Sequence, residues 1–313
     1  MQSLRRWFTV ISLTFLAGCR GMNLANQPPA PLTSIRPVSR NVVLVVLENQ
    51  RYTAIIGNQH APFMNQLAAE YSVASNFYAD LHPSIGNYFM LTVGLDVTND
   101  LDFATTVDDN NLARVMGQAG MSWKAYLESI PRVGYRGGGP YPYVKVHNPF
   151  AYFSDIEVYK SEAENMVGLD QFTSDVANDA LPAFSLLIPD QTHNMHDCPG
   201  GGRLCTNDDK VQGGDLWLQQ QLAPLLASPG YKNHETLLIV TWDDSWEHDT
   251  VHGGGHIPVV LAGPLVKQNY VSTTFYQHES VLRLICEYLG LPNTLGKAAN
   301  APSMNEFLTQ PVN

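Results

Sequence analysis

Apolar residues follow two patterns along this chain. In "NVVLVVLEN" (41–49) six aliphatic residues run on without a polar break, the pattern of a strand buried on both faces. "AFSLLIPD" (183–190), "TLLIVTWDD" (236–244) and "IPVVLAG" (257–263) repeat it. Elsewhere apolar positions recur at three and four residues, as on a helix with one buried face. These segments are "APFMNQLAAEY" (61–71), "SIGNYFMLTVG" (84–94), "NLARVMGQAG" (111–120), "GDLWLQQQLAPLLAS" (214–228) and "QHESVLRLICEYLG" (277–290). Strands alternating with helices predict an α/β fold, a mostly parallel central sheet with helices on both faces. Ligands of such sheets collect beyond the carboxyl ends of the strands.

That rule sorts the polar residues. Glu48 and Asn49 end the first strand, Asp190 a later one, and Asp243 and Asp244 another, while Ser84 follows the segment "SVASNFYAD". All are expected at one sheet edge, where crowded carboxylates repel unless a cation sits among them. Glu48, Asn49, Asp243 and Asp244 make a hard, oxygen-rich set suited to a divalent cation; singly, each carboxylate also suits a helix or turn cap. Ser84 opens a helix, where its hydroxyl serves either as an N-cap or, if a cation lowers its pKa, as a nucleophile. "PDQTHNMHDC" (189–198) gathers Asp190, His193, His196 and Asp197, and "DDSWEHDTVHGGGH" (243–256) adds His248, Asp249, His252 and His256. Histidine beside aspartate suits phosphate binding and proton transfer to a leaving oxygen. The Gly-, Pro- and Tyr-rich stretch 131–153 carries Arg132, Arg136, Lys145 and His147 and reads as a loop over the sheet edge.

The amino terminus changes the setting. "MQSLRRWFTVISLTFLAGC" has two arginines, a short apolar run and Cys19 where cleavage is expected, the layout of an export signal. Its last four residues resemble the lipobox of bacterial lipoproteins. Residues 1–18 are therefore expected to be a signal peptide, and 19–40 a Pro-rich tether lipidated on Cys19. Residues 41–313 then form one domain. Localisation is expected in the cell envelope, on the periplasmic face of an outer membrane or at the cell surface. A formal charge of −11, from 29 acids against 18 lysines and arginines, disfavours nucleic acid as a partner and makes any anionic substrate depend on local positive charge. Cys198 and Cys205 flank a flexible loop able to close as a disulfide in an oxidising compartment, and Cys286 sits on an apolar helical face.

"ENQ" after the first strand, "HPSIGNY", "HNMHD", "GDLWLQQQL" and "TWDD" occur in an order and spacing that resembles the bacterial phosphoesterase family, over roughly residues 40–295. That family holds acid phosphatases and phospholipases C, and this chain is most similar to its short secreted acid phosphatases. The resemblance implies an alkaline-phosphatase-like three-layer fold, with Glu48, Asn49, Ser84, Asp243 and Asp244 on the metal ligands and Ser84 as nucleophile. His196 and Asp197 fall on the "MHD" residues that contact the phosphoryl group, and His147 on the histidine of a "Y-x-x-K-H-x-P" pattern. Asn87, which keeps its place after the nucleophile although Gly86 replaces the usual proline, and His147 are likewise expected to contact substrate. Val146 replaces the lysine of the "K-H" pair, and "SWEHD", with His248 as a further candidate contact, replaces a glycine-rich segment.

The expected activity is metal-dependent hydrolysis of phosphate monoesters, phosphoinositides included, through a phosphoserine, with His196 protonating the leaving alcohol. The substrate would be a small phosphate ester or a lipid headgroup. The alternatives are a phospholipase C or other phosphodiesterase, and a ligand-binding lipoprotein without catalysis.

Overall fold

A computed structural model describes residues 40–312. The expected leader, Cys19 and nearly all of the tether lie outside the described residues.

Eight strands form one sheet. They are β1 (Val42–Leu47), β2 (Ser72–Ala74), β3 (Trp123–Leu127), β4 (Met166–Val167), β5 (Phe184–Ile188), β6 (Leu237–Trp242), β7 (Val259–Ala262) and β8 (Tyr270–Ser272). Their spatial order is β4-β3-β5-β1-β6-β7-β2-β8. β1 lies between β5 and β6, parallel to both, and every one of its side chains is fully buried. That is the environment its unbroken aliphatic run requires. β7 alone among these strands runs the other way, antiparallel to both β6 and β2. Two reversals return β2 and β8 to the direction of β1. The sheet is therefore mostly parallel, and seven strands deliver their carboxyl ends to one edge.

Register brings the chemistry together. Leu47 stands opposite Trp242, so the next residues out, Glu48 and Asp243, leave the sheet side by side. The Asp243 N–H donates to the Leu47 carbonyl at 2.9 Å and extends the ladder by one step. The loop after β2 leads to the helix Ser84–Met90 at the same edge.

The helices depart from the sequence expectation mainly at their ends. The helix read over 214–228 begins at Asn207. Its start is set by a capping box in which Thr206 and Asp209 bond each other's backbone N–H, satisfying two donors that the first turn leaves free. Within it, Asp215 of the "GDLW" motif is buried, and its carboxylate accepts from the Phe63 and Met64 N–H groups at 2.9 Å each. The helix Pro62–Glu70 has no side-chain cap of its own, so Asp215 caps it from across the fold. Asp215→Ala should cost about 3 kcal/mol, since two buried donors lose a charged acceptor, and Asp215→Asn about half as much. Urea denaturation measures both; equal stabilities would show that the cross-fold cap contributes nothing.

Candidate active site

Glu48 is 1 % exposed, accepts from two side chains and lies against a third. Ser84 Oγ donates to its Oε2 at 3.1 Å, and Tyr88 OH to its Oε1 at 2.7 Å. His147 Nε2 lies 3.1 Å from the same Oε1. Ser84 and Tyr88 are four residues apart on one helix, so both point at Glu48 from one face. Burial, with a smaller push from the charge of His196, holds His147 down to about 3. Its ring is thus neutral near pH 7, lies with Nε2 against Glu48, and stacks on Tyr88 at 5.4 Å between centroids.

Asn49 joins the first strand's end to the sixth. Its backbone N–H donates to Asp243 Oδ1 at 3.1 Å and its Nδ2 to Asp244 Oδ1 at 2.5 Å. Its φ of 49° places it in the left-handed region, which asparagine tolerates better than most residues. His82 Nδ1 lies 2.9 Å from Asp244 Oδ2, and its Nε2 is 3.0 Å from the Asp249 carbonyl.

The carboxylates crowd one another. Burial, then the charges of Asp243 and Asp244, push Glu48 well above the usual carboxylate range. Burial raises Asp243 against the bonds from Ser84, Asp244 and Asn49. Asp244 is pushed up to about 7 by burial and then by Asp243. The hydrogen bond to Asp244 in turn lifts His82 to about 9 against the effect of burial. Asp243 Oδ2 is buried with no hydrogen-bond partner, a costly state for a carboxylate oxygen. An all-oxygen donor set, excess negative charge and a buried oxygen without a partner fit a divalent cation held by Glu48, Asn49, Ser84, Asp243 and Asp244.

Other expected residues are placed differently. Asn87, expected to contact substrate, is fully buried. Its Oδ1 accepts from the Asp80 and Leu81 N–H groups and its Nδ2 donates to the Leu81 carbonyl. Its amide therefore shapes the loop that presents Ser84. His147, also expected at the substrate, is buried behind Glu48 instead. His196 and Asp197 are partly exposed, with His196 Nδ1 at 2.7 Å from Asp197 Oδ1. Tyr141 OH donates to Asp197 Oδ2 at 3.0 Å. His196 is close enough to His147 for its charge to be felt there. His248 is exposed in the loop after Asp244 and joins none of these bonds. The Cys198–Cys205 disulfide closes the loop beyond Asp197.

Tyr88 and His82 were not read as site residues, though "HPS" and "GNY" bracket Ser84 in the sequence. Asp190 and His193 join Glu128 in a second group whose ligand atoms lie within 4.8 Å of one another. There Asp190 Oδ1 accepts from Thr192, its Oδ2 from Ser129, and Glu128 Oε2 from the Asp190 N–H. His193 Nδ1 is 3.1 Å from the same Glu128 oxygen. These mutual bonds make the group a brace between the ends of β3 and β5, not a phosphate contact.

Solved structures share this architecture. A protein of the alkaline phosphatase superfamily from Vibrio parahaemolyticus superposes with a TM-score of 0.59 at 15 % identity, over 86 % of this chain and 72 % of that one. A phosphonate monoester hydrolase from Silicibacter pomeroyi gives 0.55 at 13 % identity, over 88 % and 78 %. The fold is that of the alkaline phosphatase superfamily. A profile of the Phosphoesterase family matches residues 55–292, and the chain belongs to that family, whose members cleave phosphoric esters. It is 30 % identical over 276 residues to the phosphatidylinositol-3-phosphatase of Mycobacterium tuberculosis, covering 88 % of this chain and 84 % of that protein. It is 28 % identical to an acid phosphatase of Aspergillus fumigatus, over 85 % of this chain but 59 % of the fungal protein's length.

The charge crowding has a pH signature without cation. An acid held protonated by the fold loses stability as pH rises from its ordinary 3.8 to about 7, as for Asp244. The contribution of His82, complete below 6.5, is lost as pH approaches about 9. In chelator, wild-type melting temperature should fall more steeply from pH 5 to 9 than that of Asp243→Asn. Millimolar divalent cation should restore the wild type and leave the variant unmoved; equal responses would refute the crowding argument.

Proposed function

We propose that this chain is a metal-dependent phosphomonoesterase of acid-phosphatase type that works through a phosphoserine on Ser84. The observation that carries the reading is Ser84 Oγ at 3.1 Å from Glu48, beside a buried Asp243 oxygen that lacks a partner. A divalent cation bound by Glu48, Asn49, Ser84, Asp243 and Asp244 would lower the serine pKa and offset charge on the phosphoryl group.

Ser84, its hydroxyl proton given up to solvent, attacks phosphorus in line through Oγ. A new P–O bond forms to serine as the bond to the alcohol oxygen breaks, and the alcohol leaves with a proton from His196. Asp197 holds Nδ1 of His196, which leaves Nε2 to carry that proton in this reading. Water then attacks the phosphoserine from the opposite side, giving a proton back to His196, returning the serine oxygen and releasing phosphate. Tyr88 and His147 hold Glu48 in place throughout. Likeness to the mycobacterial phosphatidylinositol-3-phosphatase makes phosphoinositides candidate substrates beside small esters.

We further propose export with lipidation on Cys19, consistent with a disulfide between Cys198 and Cys205, a bond stable in oxidising compartments. Labelling with radioactive palmitate in a bacterial host should mark the wild type and not Cys19→Ala; label on both would place the lipid elsewhere or nowhere specific.

Ser84→Ala should lower turnover of p-nitrophenyl phosphate by about three orders of magnitude or more, with the melting temperature within a few degrees of wild type. Chelator should abolish the wild-type rate and added cation restore it. A Ser84→Ala protein that still turns over excludes the phosphoserine route. Faster hydrolysis of p-nitrophenylphosphorylcholine than of p-nitrophenyl phosphate would favour a phosphodiesterase.

A further inference from the structure

His278 belongs to none of the groups above, yet it touches both halves of the site from below. It opens the helix His278–Leu289 and is fully buried. Its backbone N–H donates to Asp80 Oδ2 at 3.2 Å, and its Nδ1 lies 3.1 Å from the same oxygen. Its Nε2 lies 3.0 Å from the carbonyl oxygen of Trp242, the last residue of β6. A backbone carbonyl can only accept a hydrogen bond, and an ionised carboxylate likewise. Both ring nitrogens therefore carry hydrogen, and the ring is an imidazolium paired with Asp80. The edge of Phe77, 5.6 Å between ring centroids, limits its tilt.

Each bond leads to a reacting element. Asp80 heads the loop to Ser84, and its N–H is held by Asn87, three residues beyond Ser84 on the same helix. Trp242 immediately precedes Asp243. The helix that begins at His278 also packs on the Ser84 helix and on β1. We infer that His278 is a positioning residue, tying the nucleophile loop to the end of β6 and so setting the separation between Ser84 and the Asp243–Asp244 pair. An apolar ring of similar size would fill the same space. What the imidazolium adds is direction, because two opposed donors fix two backbone segments at once.

The inference rests on the phosphoryl-transfer reading, and its test separates the two. His278→Asn keeps a donor near the Nδ1 position and loses the reach to Trp242. His278→Gln places a donor near Nε2 and loses Asp80. Asp80→Asn keeps the shape of the loop and removes its charge. With saturating cation, each should lower kcat on p-nitrophenyl phosphate by about 10- to 100-fold while KM changes by less than about threefold. Calorimetric titration with the divalent cation alone should show affinity weakened by about tenfold, whatever the activity. Variants that fold cooperatively and keep wild-type kcat and cation affinity reduce His278 to packing and overturn the inference. If both His278 variants fail to fold, Asp80→Asn decides by the same two readouts. A wild type that binds no divalent cation, or a Ser84→Ala protein that still turns over, sinks the phosphoryl-transfer reading instead.

Discussion

Two adjacent parallel strands end in register, and both continue into acidic residues. Leu47 faces Trp242, so Glu48 and Asp243 emerge together from a sheet whose central strand is wholly buried. Two carboxylates desolvated in contact with each other are among the least favourable arrangements a fold can hold. Much of the surrounding structure answers that repulsion. Tyr88 and Ser84 donate to Glu48 with His147 packed against it, Asn49 donates to both aspartates, and His82 supplies Asp244 with a positive partner. One Asp243 oxygen remains without a donor. The protein's own groups neutralise the cluster incompletely, and the shortfall has the sign and chemistry of a hard cation.

The same constraint explains why histidines and an asparagine that look like substrate contacts in the sequence are buried. A carboxylate under strong repulsion needs a donor that stays put, and Tyr88 supplies one, its ring held by the stacked, neutral His147. Asn87 closes the turn on which Ser84 sits. His196, by contrast, is 46 % exposed in its side chain and is free to meet a leaving group. Burial thus divides the polar residues of the site into those that hold the carboxylates and the serine and those that can reach a substrate.

Much of this was legible in the sequence, and the failures have physical causes. The long aliphatic strands β1, β5, β6 and β7 announce themselves because burial on both faces excludes polar residues over several positions. β2, β4 and β8 span two or three residues, too short for any period to show. β3, "WKAYL", carries a lysine paired with Asp175 and so breaks the apolar run. The reversed direction of β7 leaves no trace in its composition, because a strand covered on both faces reads the same either way. Which acids lie at the carboxyl edge followed from the strand ends alone. Which histidines touch them did not, since His82, His147 and His278 reach the site through contacts 36 to 162 residues apart in sequence.

An acidic protein must still admit an anion. With 29 acidic residues against 18 lysines and arginines, the long-range field repels phosphate, and salt screens that field over about 10 Å. Within that distance the cluster matters more than the total charge. A divalent cation among three carboxylates would leave the group at most singly negative, and protonated His82 adds one positive charge behind Asp244, while that of His278 is offset by Asp80. The local balance would thus come to neutral where the phosphoryl group must sit, although the surface around it stays negative. Protonated His82 therefore bears on the charge an anion would meet as well as on the scaffold, because without it the cation's charge would be spent on the carboxylates that hold it.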